Sequence, residues 1–410
     1  MDTTITAPGT KLGLETGAIA PPALDSVPNR ASRPAVIMQV LPALVTGGVE
    51  RGTIDVAGAI VQAGGTALVA SAGGPMVREL ERLGAQHLAL PLDRKTPWSI
   101  LRNRRRLAEL IELHQVDIVH ARSRAPAWSA LGAARRTGRP FMTTFHGTYN
   151  YRSGLKRWYN AIMTRGDRVI AISEFIGRHI VDNYPIDPAR LRVIPRGHRF
   201  RVVRSGAGSA RSGWSVWSMP GGCPTACRSS CCPGRLARWK GHEVLIKAIH
   251  RLAGRDVVCV LVGGDHGRDP YRRELESLAG SLGVSARLRI VGDCRDMPAA
   301  YMLADVVVSA STDPEAFGRI AVEASAMGRP VIATDHGGAR ETVQTGETGW
   351  QVPPGDSVAL AQALEAALRL LPAERVALGT RARDFVMQRF SKAHMCAATL
   401  QVYGELLDRP

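Results

Sequence analysis

Short, unbroken apolar runs recur along the chain with polar, helix-forming stretches between them, and this alternation restricts the fold more than any other feature. A strand buried on both faces reads as a continuous β-branched run, and strands of that kind occur almost only in parallel sheets covered by helices. Residues 35–41, 66–71, 116–121, 141–144 and 168–172 are expected as strands of a first series. Segments such as 100–114 supply helices between them. A second series follows at 257–262, 287–291, 305–311, 330–334 and 350–352. Parallel strands need crossover connections, so each series predicts one doubly wound sheet. The fold class expected is therefore α/β, with two Rossmann-like parallel-sheet domains facing across a cleft. The 410 residues are enough for two or three domains, and a 45% hydrophobic content with 42 glycines suits real cores joined by tight turns.

The stretch richest in chemistry is Asp313-Pro314-Glu315-Ala316-Phe317-Gly318 with the helix expected over 318–327. Glu315 and Glu323 stand eight residues apart in it. It lies where the strand at 305–311 hands over to a helix, at the carboxyl edge of a parallel sheet. Open α/β sheets bind ligands at that edge, and the amides of a helix N-terminus suit a phosphate. An acid/base pair for glycoside hydrolysis needs carboxyl groups roughly 5 to 9.5 Å apart. Eight helical residues rise about 12 Å, which excludes that mechanism. One extended ligand gripped at two points fits instead. Glu315 would meet sugar hydroxyls, Glu323 a ribose, and the helix N-terminus between them a diphosphate. Such a ligand is a nucleotide-sugar.

The Glu-x7-Glu spacing with Phe317-Gly318 inside it resembles the retaining glycosyltransferases of the group 1 type (family 4, GT-B fold). The basic run Gly234-Arg235-Leu236-Ala237-Arg238-Trp239-Lys240-Gly241, the Gly47-Gly48-Val49-Glu50-Arg51 loop, Thr143-Thr144-Phe145-His146-Gly147 and Ala171-Ile172-Ser173-Glu174 fit the same family in order. The resemblance covers 35–400 apart from one window. It implies a metal-independent hexosyltransferase that retains anomeric configuration by front-face attack, the leaving phosphate taking the acceptor proton. The donor implied is a UDP- or GDP-sugar, with no cofactor. Arg235, Lys240 and Glu315 are then the expected catalytic residues, the two cations stabilising charge that grows on the departing phosphate. Gly47, Gly48, Phe317, Gly318, Glu323 and Gly292 are expected around the donor. His146 is expected either to orient donor or acceptor hydroxyls or to be a satisfied core histidine. Val119-His120-Ala121-Arg122 departs from the family's frequent His-x-His. Arg122 holds the second position and is read as a contact for an acidic sugar, a phosphate or an acceptor group. No Asp-x-Asp or His-x-Glu cluster offers a metal site.

A net charge of +17 implies an acidic partner. Arg102, Arg104, Arg105 and Arg106 cluster beside Trp98, Ile100, Leu101 and Leu107, which suits either an anionic membrane surface or a solvated helix face. Aromatic residues make up only 5%, too few for base-stacking recognition, so nucleic acid is not an expected partner. The sequence lacks any run of about 18 apolar residues and a signal-peptide pattern at the start. The location expected is cytoplasmic, peripheral on the inner membrane face, with a lipid-linked or lipopolysaccharide-core saccharide as acceptor. A sugar-nucleotide epimerase, or an inactive nucleotide-sugar-binding protein of the same fold, are the alternatives. A nicotinamide-dependent dehydrogenase is excluded, because no Gly-x-Gly-x-x-Gly follows the first strand.

The domain boundaries expected are a Pro-, Ala- and Thr-rich tail at 1–34, an acceptor-side domain at 35–197, a nucleotide-sugar domain at 233–384 and a helix at 385–410 that returns to the first domain. Residues 198–232 break the pattern, with Cys223, Cys227, Cys231 and Cys232 among many Ser and Gly. A zinc site fits poorly because Cys231 and Cys232 are adjacent, and a disulfide framework is out of place in a cytosolic enzyme. A compensated frameshift fits best. His198-Arg199-Phe200 can be encoded CAT CGA TTT, which without its first base reads Ile-Asp-Phe. Ser229-Ser230-Cys231-Cys232-Pro233 can be TCG TCG TGC TGC CCG, which in another frame reads Val-Val-Leu-Pro. On that reading the first strand of the second domain is lost.

Overall fold

A computed structural model of the chain describes residues 33–149, 153–200, 228–252, 257–264, 269–294 and 296–408. All but the last two residues of the expected tail, and most of the Cys-rich window, lie outside them. Two sheets organise the described residues, and every strand pairing is parallel. The first holds β1 (Val36–Val40), β2 (Thr66–Ser71), β3 (Gln86–Ala89), β4 (Ile118–Ala121), β5 (Phe141–Phe145), β6 (Arg168–Ala171) and β7 (Leu191–Val193), in the order β3-β2-β1-β4-β5-β6-β7. The second holds β8 (Arg228–Pro233), β9 (Val257–Val262), β10 (Leu288–Val291), β11 (Val306–Ser309), β12 (Val331–Thr334) and β13 (Trp350–Val352), in the order β10-β9-β8-β11-β12-β13. Helices cover both faces of each sheet, so β1, β4, β5, β11 and β12 are buried along their whole length.

Strand order reverses between β1 and β4 in the first sheet and between β8 and β11 in the second. Loops leave the sheet on opposite faces at such a point and open a crevice between them. The four loops that follow these strands carry Gly48, Arg122, Lys240 and Glu315, so topology alone brings the candidate residues to two facing crevices.

The lobes share apolar packing. Phe317, Val322, Val386 and Phe390 join the cluster that covers one face of the first sheet. On the other face, Met395, Leu400, Tyr403 and Leu406 pack with Ile54 and Ile60. The single returning helix expected from residue 385 is two helices, Pro372–Arg389 and Lys392–Leu407. Ser391 interrupts them because its hydroxyl accepts from the His394 N–H at 3.2 Å and starts a new helix. At this break the chain runs beside His198, whose N–H donates to Phe390 O at 2.8 Å and whose carbonyl accepts from Lys392 N at 2.9 Å.

The strand expected to be lost is present. β8 pairs with β9 along six residues and with β11 at Ser230 and Cys231. A parallel ladder is made of backbone groups, and Ser230, Cys231 and Cys232 are small enough to be buried at 0%, 4% and 2% exposure. Cys231 joins one core cluster and Cys232 another, because neighbours on a strand point to opposite faces. These two thiols therefore cannot meet on one metal ion. Both are free, and burial pushes the Cys232 thiol up to about 12. Cys223 and Cys227 lie outside the described residues.

Candidate active site

The second-lobe wall is built on the loops after β8 and β11. Gly241 takes a left-handed conformation (φ 70°), and a Cβ there would stand 1.8 Å from Ala310 O. Only glycine permits this approach, and it draws Lys240 against the end of β11. Lys240 Nζ donates to Glu315 Oε1 at 2.7 Å, with both side chains 12% exposed. Ser311 Oγ donates to the same carboxylate oxygen at 2.6 Å. Burial pushes the Glu315 carboxyl up, but Lys240 and the hydroxyls of Ser311 and Ser309 outweigh it and hold it below its ordinary value. Glu315 is thus an ionised hydrogen-bond acceptor. Its backbone is fixed by Gly338, whose N–H donates to Glu315 O at 2.7 Å.

Gly318, also left-handed (φ 84°), caps the helix Arg319–Ala326. Along that helix Glu323 accepts from Tyr301 Oη at 2.6 Å and pairs with Arg319 at 3.3 Å. His198 Nε2, from the crossing segment, lies 3.6 Å from its other oxygen. Arg235 is exposed beside this wall. Gly292 is exposed after β10, and the next residue, Asp293, accepts from Gly264 N at 2.8 Å. Phe317 differs from expectation. Its ring is 3% exposed and meets Phe390 edge-on at 5.4 Å, so it packs the lobes together and leaves only its backbone for a ligand.

The first-lobe wall is made by Gly48, Arg122, His146 and Arg196 around one small cavity. Gly47 is the N-cap of the helix Gly48–Gln62. His146 has both ring nitrogens buried without a hydrogen-bond partner among the described residues. Burial, then the charges of Arg122 and Arg196, hold its imidazole well below its ordinary value. A neutral ring of this kind donates from one nitrogen and accepts at the other, which suits a hydroxyl. His120 is structural by contrast. Its ring nitrogens lie 2.7 Å from Tyr403 Oη and 2.8 Å from Thr144 Oγ1, tying β4 to the last helix.

The lobes are joined at polar contacts as well. Glu341 from the second lobe accepts from Glu174 N at 2.9 Å and Phe175 N at 2.7 Å, at the start of the helix Glu174–Asn183. Ser173, the cap of that helix, donates from its hydroxyl to Ala316 O at 2.6 Å. Among the described residues no cluster of three or more His, Cys, Asp or Glu is placed to hold a metal ion.

Residues 228–385 match the family described as glycosyl transferases group 1, and residues 46–199 match glycosyltransferase family 4. The D-inositol 3-phosphate glycosyltransferase of Xylanimonas cellulosilytica is 30% identical over 315 residues, covering 72% of this chain and 73% of that protein. The crystal structure of a glycosyltransferase from Rickettsia africae is 37% identical, with a TM-score of 0.84 over 92% of this chain and 100% of that one.

The chain belongs to the group 1, family 4 glycosyltransferases.

The D-inositol 3-phosphate glycosyltransferase of Salinispora tropica is a further family 4 relative, 31% identical over 60% of this chain, and the chain spans 52% of its length. Anabaena HepE, solved in complex with UDP and glucose, shares the fold at a TM-score of 0.78 and 23% identity, covering 91% of this chain and 100% of that one. Sequence reasoning missed two residues that the structure brings to the site, Arg196 on the small cavity and Glu341 at the joint between the lobes. Pro195-Arg196-Gly197 follows β7 as a turn of ordinary composition, and only the structure shows where its side chain reaches. Glu341 lies on a short helix whose partner is 166 residues away in sequence.

Proposed function

We propose that this chain moves a hexose from a UDP- or GDP-sugar to a saccharide acceptor with retention of anomeric configuration. The observation that carries this reading is the buried Lys240–Glu315 pair, held on the loops at the reversal point of the second sheet. The bond between the anomeric carbon and the phosphate oxygen breaks, and a bond to the acceptor oxygen forms on the same face. The acceptor proton passes to the departing phosphate. Lys240, Arg235 and the N-terminus of the Arg319–Ala326 helix favour the leaving charge. Glu315 holds Lys240 and the sugar hydroxyls, and Glu323 accepts from the ribose. No residue of the chain needs to become covalently linked to the sugar on this route, and no metal or cofactor takes part in it.

The acceptor proposed is lipid-linked or part of a lipopolysaccharide core, reached at an anionic membrane face. No helix among the described residues is long and apolar enough to cross a membrane. The helix Pro97–Leu113 instead presents Trp98, 82% exposed, and Leu101, 57% exposed, around an open groove of about 560 Å³ with Arg102, Arg104, Arg105 and Arg136. Apolar rings with basic neighbours suit acidic headgroups. Two experiments test the reading. Thermal unfolding with a panel of nucleotide-sugars is expected to show one donor that raises the midpoint, and labelled donor is expected to transfer its sugar to a bacterial lipid extract. Absence of stabilisation by every nucleotide-sugar overturns it.

A further inference from the structure

Two arginines of the first lobe reach the start of the Gly48–Gln62 helix, and the transfer chemistry above uses neither. Arg122, on the loop after β4, is 4% exposed. Arg196, on the loop after β7, lines the same cavity. Both pack against bare backbone. A Cβ on Gly48 would stand 1.7 Å from Arg196 Nη2, and one on Gly52 would stand 2.9 Å from Arg122 Nη2. Arg122 Nε and Arg196 Nη2 are buried with no hydrogen-bond partner among the described residues. Asp55, whose charge acts on Arg122, is already engaged, since its Oδ1 lies 2.7 Å from Arg199. Glu50 and Glu323 act on Arg196 through their charge, but among the described residues neither pairs with it.

Buried charges are normally paired, because an unpaired one forfeits its hydration. Here two guanidinium groups converge at the positive end of a fifteen-residue helix; Asp55, Glu50 and Glu323 act on them only through their charge, and among the described residues no carboxylate forms an ion pair with either. Between them lies a cavity of about 20 Å³, also lined by Thr144 and His146. A water needs about 10 to 15 Å³ on that scale, so the cavity admits an oxygen or two of a small acidic group and excludes a sugar ring. The size also decides which anion enters. The diphosphate of a nucleotide-sugar is substituted at both ends and is too bulky for so small a space, whereas the tip of a terminal carboxylate or phosphomonoester can reach into it.

We propose that Arg122 and Arg196 bind a terminal acidic group, a carboxylate or a phosphate, carried by the saccharide acceptor, whose ring stays outside the cavity beside His146. The proposal rests on the sugar-transfer reading of the cleft for the word acceptor. The anion site itself stands on the two arginines. Fork-shaped guanidinium donors match both oxygen geometries, and specificity follows because a neutral acceptor leaves the two charges unpaired.

Titration calorimetry on the full chain tests it, with UDP present at saturation so that the diphosphate site is filled. Glucose 6-phosphate, glucuronate and glucose serve as probes. At least one acidic sugar is expected to bind ten-fold or more tightly than glucose, and Arg122→Gln or Arg196→Gln is expected to remove that margin. Glucuronate binding alone marks a carboxylate site, and glucose 6-phosphate binding alone a phosphate site. Equal affinity for all three probes overturns the proposal, as does acid binding that survives both substitutions. Recognition of the acid only within UDP-glucuronate overturns the acceptor assignment in favour of the donor. If UDP itself fails to bind while the acidic sugars do, the transfer reading falls and the anion site remains. Thermal unfolding guards against a merely structural role. Removing an unpaired buried charge is expected to leave the midpoint of the free protein unchanged or raised, and a marked fall in both variants overturns the proposal.

Discussion

The Lys240–Glu315 pair shows how one contact serves two states. Without ligand each charge satisfies the other, and with a nucleotide-sugar Lys240 can turn to phosphate while the hydroxyls of Ser309 and Ser311 keep Glu315 partnered. Lys240→Ala is expected to weaken nucleotide-sugar affinity by about ten-fold or more in calorimetry, the scale of one charge-assisted hydrogen bond. Glu315→Gln is expected to lower the transfer rate by about 100-fold or more, and near-native turnover in that variant refutes the role. Buried imidazoles set a pH dependence, with His198 and His242, each held at about 4 by burial, acting in the same sense as the two considered next. Burial, with the Arg122 charge adding to it, holds both His120 and His146 well below 6.5. The unfolded chain binds protons around pH 6.5 that the folded chain refuses, so their stabilisation is complete above pH 6.5 and is lost as pH falls below it. The melting midpoint is expected to drop between pH 7.5 and 5.5, and His146→Asn to drop less steeply. Equal slopes in the two proteins would place the proton uptake elsewhere.

At the scale of strands and helices, legibility followed side-chain chemistry. β1, β4, β11 and β12 announce themselves as β-branched or apolar runs because both their faces are buried. β8 does not, since Ser and Cys carry no strand signal, yet its backbone completes the centre of the sheet. The cost of that composition is visible at Ser230. Its hydroxyl is fully buried beside the Cys259 thiol, with no hydrogen-bond partner among the described residues. Ser230→Val, the residue that the alternative reading frame supplies there, is expected to stabilise the protein by about 1 kcal/mol, measured by denaturant unfolding. A clear loss of stability would show that the hydroxyl is wanted. The break between the last two helices was hidden for a related reason. Apolar periodicity runs on past Phe390, and the cap at Ser391 acts through a single hydrogen bond. Gly47-Gly48 and the Glu-x7-Glu stretch were legible because short-range motifs carry them. Arg196 was not, because what it packs beside, Gly48 and the cavity shared with Arg122, comes from loops far away in sequence.

Over the whole molecule, the lobes are held together by an apolar seam and by a carboxylate that caps a helix across the cleft. Glu341 gives the Glu174–Asn183 helix two acceptors for amides that otherwise lack intrahelical partners. Glu341→Ala is expected to cost the closed arrangement about 2 kcal/mol. X-ray scattering of the ligand-free variant is then expected to give a larger radius of gyration than the native chain, with a saturating nucleotide-sugar narrowing the difference. Identical scattering profiles would show that the apolar seam alone sets the arrangement.

The chain passes between the lobes near His198 and again at Ser391, and backbone hydrogen bonds fasten the two passages side by side. A pair of adjoining pins behaves as a door hinge. Swinging about their common line stays easy, while sliding or twisting one lobe over the other would have to rupture them. Each swing then returns the lysine-bearing wall to the same spot opposite the two arginines.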